Sequence, residues 1–528
     1  MAVRAPVSLA IDAGTTGVRT LVVDEQARVV DVAYRELTQH FPRPGWVEHD
    51  ADEIWQAVRT TLGEVGGRLA PEGRTPRALG ITNQRETVVA WDRHTGSPLH
   101  RAIVWQDRRT APRCRRLVDE GHLPLVRERT GLVLDPYFSA TKMEWLLHEG
   151  GISPAPGLAL ATVDSWILWN LTGGPTGGVF ATDATNASRT MLFDIVVRRW
   201  SEELCSLFGV PPDALADVRP SCGRFGRITE HAVGAGSPLV GVPVSGIAGD
   251  QHASLFGQAC FDPGMTKVTF GTGSFVLMHA GAVCPEPVDG LITTMAWDLG
   301  PDGHSLGADG GASPGRSPVA YALEGSVFSS GAGIQWLRDG LGIIDTAADL
   351  EPLARSVETS DGVTLVPAFT GLGSPHWDPG ARGTIVGLSR GVGRAHLARA
   401  MVEAMSFQVR DVTDAMGTTA TAPSQLRVDG GASAMDLLLQ LVSDQSRLPV
   451  VRPRSVESTA LGAATLAGLA EGVWGSLDEL AGLWTAERSF APEPAPEDAD
   501  RAHQAWGRAV NRSRHWTTGD EPAPGPGI

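Results

Sequence analysis

Cysteine and lysine are scarce in this sequence of 528 residues. Five cysteines occur, an odd number with no C-x-x-C pair, and they are scattered over Cys114, Cys205, Cys222, Cys260 and Cys284. This pattern excludes a disulfide framework and a zinc site built on cysteine pairs. Lysine occurs only at positions 142 and 267. The sequence therefore excludes a P-loop, which needs the lysine of G-K-[ST], and any site that rests on several lysines.

Excess positive charge and long apolar runs are also missing. The 44 Lys and Arg residues face 60 Asp and Glu residues, so the net charge is −16. A protein that binds nucleic acid needs a basic surface to neutralise phosphates, and this balance excludes that class. No apolar run approaches the roughly 18 residues that span a bilayer, and the first residues lack the apolar core of a signal peptide. We therefore expect a soluble, cytoplasmic protein without nucleic-acid partners or membrane insertion.

Two similar hairpins predict an internal duplication. Residues 7–24 have the pattern of two strands around a turn rich in glycine and threonine at 12–17. The large apolar residues of the first strand alternate along it, which predicts that the strand is half-buried. Residues 268–278 repeat this pattern around Gly271-Thr272-Gly273. The segment 257–264 between the hairpins reads as a domain junction. At about 150 residues per domain, the length of the chain allows two to four domains. One of the two hairpins opens each half of the chain.

The rest of the chain alternates helices and strands. Helical spacing and the N-cap candidate Asp50 predict a helix over 51–69. Further helices are predicted around 397–416 and 458–471, the latter rich in small residues suited to close packing, and a strand pair over 79–81 and 87–91. Residues 298–319 read as a mobile surface loop, and the tail 516–528 reads as disordered.

The first turn has the composition of a phosphate cradle. Gly14 lets the backbone approach a ligand, and the amides and hydroxyls of Thr15 and Thr16 can donate to phosphoryl oxygens. Asp12 can hold Mg²⁺ through its water shell, since magnesium prefers one or two carboxylates together with phosphates. The alternative is an ordinary turn. The repetition at Gly271-Thr272-Gly273 favours a nucleotide held between two halves.

Charged pairs elsewhere allow a functional and a structural interpretation. Arg85-Glu86 lies between two apolar strands, which favours a functional loop over a solvated surface pair. Asp250 follows an apolar stretch directly, and it is also a candidate helix N-cap. Residues 426–431 read as a strand that ends in a glycine pair before a helix, a geometry suited to packing against the sugar or base of a nucleotide.

Long strings of residues make the chain resemble the glycerol kinases of the FGGY family of carbohydrate kinases. The resemblance runs from about residue 7 to 515, except for 298–319. The strings are Pro44-Gly-Trp-Val-Glu-His-Asp50, Gly80-Ile-Thr-Asn-Gln-Arg-Glu-Thr87, Ile103-Val-Trp-Gln106, Asp135-Pro-Tyr-Phe-Ser139, Thr185-Asn-Ala-Ser-Arg-Thr-Met-Leu-Phe193, Ser245-Gly-Ile-Ala-Gly-Asp-Gln251 and Val366-Pro-Ala-Phe-Thr-Gly-Leu-Gly373. The fold class implied is α/β, with two ribonuclease-H-like domains of the actin-like ATPase type around a central cleft. Residues 1–257 would form the glycerol-binding domain and 264–515 the nucleotide-binding domain.

The resemblance also implies a reaction and a set of site residues. The reaction would be ATP-dependent phosphorylation of glycerol to sn-glycerol 3-phosphate, the first step of glycerol catabolism, with Mg²⁺ near Asp12 and Asp250 as the general base. Residues that would bind glycerol are Arg85, Glu86, Trp105, Tyr137, Asp250, Gln251 and Phe275. Residues that would contact the nucleotide are Thr15, Thr16, Arg19, Thr272, Gly331, Gln335 and Gly431. The resemblance further implies a homo-oligomer, either a dimer or a tetramer.

Some positions depart from the family pattern. Gly17-Val18 replaces a pair of serines after the first turn, Ala13 replaces a frequent glutamine, and Met435 stands where an asparagine is common. Residues 232–237 do not reproduce the pattern associated with inhibition by a sugar bisphosphate. Two alternatives remain: another sugar or polyol kinase of the family, such as a pentulose kinase, and a non-catalytic actin-like module that binds nucleotide.

Overall fold

The computed structural model describes residues 5–300, 317–493 and 496–517. Most of the predicted loop at 298–319 and nearly all of the predicted tail at 516–528 therefore lie outside the described residues. Within the described residues, no helix has both the length and the apolar character needed to cross a membrane.

Strands and helices alternate along the chain in both halves. The strands are β1 (Ala5–Ala13), β2 (Gly17–Asp24), β3 (Val29–Glu36), β4 (Glu48–His49), β5 (Arg74–Asn83), β6 (Val88–Asp92), β7 (Ala102–Ile103), β8 (Leu158–Thr162), β9 (Ala181–Asp183), β10 (Phe193–Asp194), β11 (Arg199–Trp200), β12 (Asp217–Arg219), β13 (Cys222–Arg227), β14 (Pro243–Gly249), β15 (Met265–Phe270), β16 (Ser274–Gly281), β17 (Ile292–Asp298), β18 (Val319–Val327), β19 (Thr364–Val366), β20 (Thr384–Val386), β21 (Gln425–Asp429), β22 (Val450–Pro453) and β23 (Ala486–Phe490). The helices are α1 (Ala51–Leu69), α2 (Ala111–Asp119), α3 (Leu123–Thr130), α4 (Ala140–His148), α5 (Val163–Leu171), α6 (Ala184–Ala187), α7 (Glu202–Leu207), α8 (Glu230–Val233), α9 (Asp250–Gly257), α10 (Gly331–Gln335), α11 (Leu350–Arg355), α12 (Arg394–Met416), α13 (Asp436–Ser446), α14 (Ser458–Ala470), α15 (Leu477–Leu483) and α16 (Pro496–Ser513).

The two large sheets have the same strand order. The first sheet runs β3-β2-β1-β5-β14-β13, and the second runs β18-β16-β15-β21-β22-β23, with β17 added beside β18. Each opening hairpin is antiparallel, and its first strand pairs in parallel with the next strand, β5 or β21. This repetition confirms the predicted α/β class with two ribonuclease-H-like units, and it confirms the duplication that the two hairpins predicted.

Local sequence signals placed several elements correctly. Helix α1 has the predicted bounds, and the carboxylate of Asp50 accepts hydrogen bonds from the amides of Asp52 and Glu53 at 2.9 and 3.2 Å. Helices α12 and α14 lie where helical spacing predicted them. Strand β1, in contrast, is buried on both faces rather than half-buried. Helices α1 and α14 cover its opposite faces, as is usual for a strand with parallel neighbours in an α/β sheet.

The predicted strand pair at 79–81 and 87–91 is wrong in its pairing. Strand β5 belongs to the first large sheet, whereas β6 pairs with β7 and β8 in a separate sheet. The residues between them do not form a hairpin turn, because Gln84, Arg85 and Glu86 are buried and directed into the protein. The side-chain amide of Gln84 donates to the carbonyl of Gly14, which ties this segment to the first turn.

Helix α14 joins the two halves of the chain through contacts that only glycine permits. A Cβ added at Gly462 would lie 1.8 Å from the carbonyl oxygen of Ala253 in α9, and one added at Gly80 in β5 would lie 2.0 Å from that of Ala463. The prediction that this helix is suited to close packing is confirmed. It also brings the start of α14 near the first hairpin.

Candidate active site

The two glycine- and threonine-rich turns have similar geometry. In the first, the amide of Gly14 donates to the carbonyl of Gly17 at 3.0 Å; in the second, the amide of Gly271 donates to that of Gly273 at 2.8 Å. Thr16 and Thr272 are exposed at the tips, and Thr15 is half-buried. Their hydroxyl groups and neighbouring amides are therefore accessible to an anionic ligand, as a phosphate site requires.

The second turn is built together with the start of α10. The amide of Gly331 donates to the carbonyl of Gly271 at 3.0 Å, and that of Ser330 to the carbonyl of Thr272 at 2.9 Å. A Cβ added at Gly331 would lie 2.5 Å from the oxygen of Gly271, so glycine is needed there. The structure thus brings the predicted residues Thr272 and Gly331 together.

The other predicted nucleotide residues of the second half lie at an exposed rim. Gly430 has φ of +84°, and a Cβ added there would lie 2.4 Å from the carbonyl oxygen of Phe270. The glycine pair therefore packs directly against the end of β15. Gly431 is exposed, with no atom within 4 Å of a Cβ added there, so a ligand has room to approach. Gln335 is exposed at the end of α10.

Asp12 and Arg19 form a charged pair at the first hairpin. The guanidinium of Arg19 donates to Asp12 at 2.6 Å and to Glu457, which precedes α14, at 2.7 Å. The carboxylate of Asp12 is buried and lies at the end of β1. Asp250 has a similar place in the same sheet, since it directly follows the end of β14. Among the described residues no cluster of three or more metal-ligating side chains occurs. A single carboxylate, that of Asp12, fits a Mg²⁺ ion that is held mostly by phosphate oxygens and waters.

A buried network of charges contains the predicted residues Arg85, Glu86 and Tyr137. Arg85 donates to Glu324 through Nη1 at 2.5 Å and through Nη2 at 3.0 Å, and Nη2 also donates to the hydroxyl of Tyr137 at 2.8 Å. Arg189 donates to Glu86 at 2.8 Å and to Glu324 at 3.0 Å. The pair Arg85-Glu86 is therefore not a solvated surface pair.

Sequence reasoning missed Glu324 and Arg189 as parts of this network. Burial alone raises the pKa of Glu324, but the guanidinium groups of Arg189 and Arg85 hold it well below its usual range. A signal for Glu324 was present, since it is an isolated carboxylate within the apolar strand β18. Arg189 lay inside one of the strings that carried the resemblance, without being assigned a role.

Three aromatic rings form a wall beside the charged network. The ring of Trp105 meets Tyr137 edge to face with centroids 5.6 Å apart, and Phe275 with centroids 6.3 Å apart. The indole Nε1 of Trp105 donates to the hydroxyl of Thr15 at 2.9 Å. Trp105 therefore links the first turn to Phe275, which lies in the hairpin of the second half.

Asp250 is the partly exposed carboxylate at this site. It is the first residue of α9, so Gly249 rather than Asp250 is the N-cap, and its Oδ1 accepts a hydrogen bond from the amide of Gln251 at 2.6 Å. Oδ1 also lies 3.3 Å from Nε of Arg85. Burial raises the pKa of Asp250 to about 6, against the opposing effect of Arg85. A carboxyl group with this pKa can exchange a proton near neutral pH.

Both lysines of the chain are fully buried beside predicted site residues. The ammonium of Lys142 donates to the carbonyls of Pro136, Tyr137 and Phe138 at 2.8, 2.7 and 2.8 Å. Lys267 donates to the side chains of Gln251 and Thr269. Burial lowers the pKa of each lysine to about 8. They hold the segment of Tyr137 and the side chain of Gln251 in place.

Comparison with known proteins relates both halves to carbohydrate kinases. Residues 7–257 match the N-terminal domain of the FGGY family of carbohydrate kinases, and residues 266–471 match its C-terminal domain. Proteins named glycerol kinase from Bordetella parapertussis and Halorhodospira halophila are 48% and 49% identical over 514 and 521 residues. These alignments cover 96% of this chain and 97% and 96% of the relatives.

Solved structures agree in fold. The crystal structure of Plasmodium falciparum glycerol kinase with ADP superposes with a TM-score of 0.86 at 31% identity, and covers 96% of this chain and 98% of that one. A xylulose kinase from Lactobacillus acidophilus superposes with a TM-score of 0.83 at 20% identity, over 96% and 98% of the chains, which is a likeness of fold alone.

Proposed function

Because the chain belongs to the FGGY family of carbohydrate kinases, we infer that it transfers the γ-phosphoryl group of ATP to glycerol and forms sn-glycerol 3-phosphate, the first step of glycerol catabolism. The fold is that of the actin-like ATPases. The observation that carries this inference is the site in which Arg85, Tyr137 and Asp250 lie beside the rings of Trp105 and Phe275. Polar groups on one side and aromatic rings on the other match a short triol, whose hydroxyls need partners and whose carbons need apolar contact.

In this proposal each side chain has a defined task in binding. Arg85 and Tyr137 hydrogen-bond hydroxyl groups of glycerol, and Glu86 and Gln251 accept or donate at the same end of the site. Trp105 and Phe275 pack on the carbon backbone and exclude water, which limits the hydrolysis of ATP. The hydroxyl that is to be phosphorylated then lies near Asp250.

Asp250 accepts the proton of the attacking hydroxyl as the new phosphorus–oxygen bond forms. Phosphoryl transfer depends on in-line positioning and on neutralising charge at the phosphoryl oxygens. The threonines of the two turns, with Arg19, Gly331, Gln335 and Gly431, hold the nucleotide. Mg²⁺ near Asp12 supplies further positive charge at the phosphates when it is bound.

A coupled assay of ADP release with and without added substrate tests the proposal. Purified protein is given ATP and Mg²⁺ with glycerol, xylulose or gluconate, and kcat/KM is compared. We expect glycerol to give the highest value. A higher kcat/KM for either sugar substrate would assign another activity of the family, and the absence of ADP release with all three would indicate a non-catalytic nucleotide-binding module.

The remaining parts of the proposal concern organisation. We propose that residues 1–257 and 264–515 are the two domains, that the protein acts in the cytoplasm where ATP is available, and that it forms a homo-oligomer, either a dimer or a tetramer. Light scattering coupled to size-exclusion chromatography measures the oligomeric state, and limited proteolysis locates the domain boundary.

A further inference from the structure

One carboxylate of the second half lies at the centre of the charge network of the first half. Glu324 is 0% exposed and lies in β18. Its Oε2 accepts from Arg85 at 2.5 Å, and its Oε1 accepts from Arg85 and Arg189, each at 3.0 Å. The hydroxyl of Ser326 donates to the same Oε1 at 3.0 Å. Glu324 thus contacts two arginines of the first half at once.

Each arginine has one further close partner: Nη2 of Arg85 donates to the hydroxyl of Tyr137 and Nε of Arg189 donates to Glu86, each at 2.8 Å. Arg85 Nε lies 3.6 Å from Glu86 and 3.3 Å from Asp250, both longer than its bonds to Glu324. The Nη1 atom of Arg189 is buried and is without a hydrogen-bond partner among the described residues, so it is free to donate to a ligand oxygen. Among the described residues, Glu324 is the side chain that accepts hydrogen bonds from both guanidinium groups, and it therefore fixes them relative to each other.

We propose that Glu324 is a positioning residue for glycerol: from the opposite half of the chain, it orients Arg85 and Arg189 so that their remaining donors face the substrate hydroxyls. This inference rests on the proposed function. Bidentate contacts between arginine and carboxylate fix the plane of the guanidinium as well as its position, which a neutral partner does not do. The glycerol site is therefore complete only when the two halves are in contact at Glu324.

The same strand leads to the nucleotide site. Within seven residues the chain passes from Glu324 to Gly331, whose amide donates to the second turn at 3.0 Å. We nevertheless expect the effect of Glu324 to fall on glycerol, because its side-chain partners are Arg85, Arg189 and Ser326 rather than residues of the turn.

Steady-state kinetics with three variants test the proposal. We expect Glu324→Gln to raise the KM for glycerol by about tenfold or more, since hydrogen bonds to two charged groups are weakened, and to change the KM for ATP by less than about threefold. Glu324→Asp keeps the charge but shortens the side chain, and it should give a smaller increase. Ser326→Ala removes one neutral donor to Glu324 and should raise the KM for glycerol about threefold.

A control variant removes a partly buried carboxylate that lies outside the site. Asp411 accepts hydrogen bonds from Trp506 and His503, each at 2.7 Å, outside the site. Asp411→Asn is expected to lower the melting temperature without changing the KM for glycerol. If the Glu324 variants lower only the melting temperature and the active fraction, with both KM values unchanged, the positioning role is overturned.

The series also separates this inference from the proposed function. A parent protein that does not phosphorylate glycerol overturns both. An active parent with unchanged glycerol KM in Glu324→Asp and Ser326→Ala overturns the positioning role alone, even if Glu324→Gln does not fold. Increased KM for glycerol in both of these milder variants supports it.

Discussion

At the scale of single residues, the site depends on buried charges whose partners are specified atom by atom. Desolvating a charge is costly unless hydrogen bonds compensate for the lost water. Arg85 and Glu324 meet this condition through each other, and Lys142 meets it through three backbone carbonyls. Asp250 differs from these groups, because its carboxylate is partly exposed, accepts a hydrogen bond from the amide of Gln251 at 2.6 Å and lies 3.3 Å from Nε of Arg85. It is the carboxylate best suited to take up and release a proton.

Replacing Asp250 by asparagine tests its role as general base. Asparagine keeps the shape and one acceptor oxygen but cannot accept the proton of the hydroxyl. General-base assistance contributes about 10²–10⁴ in rate, so Asp250→Asn should lower kcat at least about a hundredfold. Glycerol affinity should change much less. Asp50→Asn, at the start of α1 and outside the site, is the control and should keep the parent kcat; turnover of Asp250→Asn within about tenfold of the parent would contradict the assignment.

The pH dependence of turnover follows from the pKa of the same group. Burial raises the pKa of Asp250 to about 6, so the carboxylate is ionised above this value and protonated below it. Only the ionised form accepts a proton, and we therefore expect kcat to fall about tenfold per pH unit below about pH 6. The measurement is kcat at saturating ATP and glycerol over a pH series. A constant kcat down to about pH 5 would show that another group takes the proton.

Lys142 is expected to stabilise the segment that carries Tyr137. Lys142→Met leaves three buried carbonyl groups without their donor, and the free energy of unfolding should fall by at least about 2 kcal/mol. The KM for glycerol should rise, because Tyr137 loses its fixed position. Lys142→Arg keeps the charge but brings a planar group that cannot converge on the same three oxygens, so it should also destabilise. Urea unfolding measures the stability of both variants. A Lys142→Arg variant as stable as the parent would show that charge alone is needed.

At the scale of elements, helix α14 determines how the second half of the chain packs on the first. Its small residues let it lie against α9 and against strands β5 and β14 with backbone atoms in contact. Helix α9 begins at Asp250, so the position of α14 influences the position of the proposed base. A helix interface of this kind does not accommodate added volume, because backbone atoms rather than flexible side chains face each other.

A single methyl group at Gly462 tests this packing. A Cβ there would lie 1.8 Å from the carbonyl of Ala253 in α9, so Gly462→Ala should lower the free energy of unfolding by about 1–3 kcal/mol. It should also lower kcat, because α9 must shift. Gly507→Ala in α16 is the matched control: nothing lies within 4 Å of its added Cβ, and alanine favours a helix over glycine by about 1 kcal/mol. Equal thermal stability of the two variants would contradict the close contact.

At the scale of the whole molecule, the proposed ligand-binding residues are divided between two similar units. The turns at Gly14 and Gly271 come one from each unit, and Glu324 of the second unit contacts Arg85 of the first. Trp105 likewise links Thr15 to the ring of Phe275. A reaction that needs both turns on one nucleotide therefore depends on the separation of the units.

We expect the two units to approach each other when both substrates are bound. Hinge closure is a common way in which kinases exclude water and complete a site. Small-angle scattering should show a smaller radius of gyration with glycerol plus a non-hydrolysable ATP analogue than without ligands. Glycerol alone and the analogue alone are the controls. Equal dimensions in all four conditions would contradict a closing motion.

The sequence by itself determined the elements whose causes are local. The cap at Asp50, the helical spacing before Met416 and the glycine turns at Gly14 and Gly271 each depend on neighbouring residues, and the structure has these elements where they were predicted. The resemblance supplied the family and the residues that we propose to bind glycerol. It did not supply their partners.

Only the tertiary structure decided which residues meet across long separations in the chain. Arg85 and Glu324 are 239 positions apart, and Arg19 and Glu457 are 438 positions apart. The separation of β5 and β6 into different sheets, the burial of β1 on both faces and the contacts of α14 with the first half have the same origin. These features depend on how folded elements pack against one another, and such packing leaves no periodic pattern in the local sequence from which it can be read.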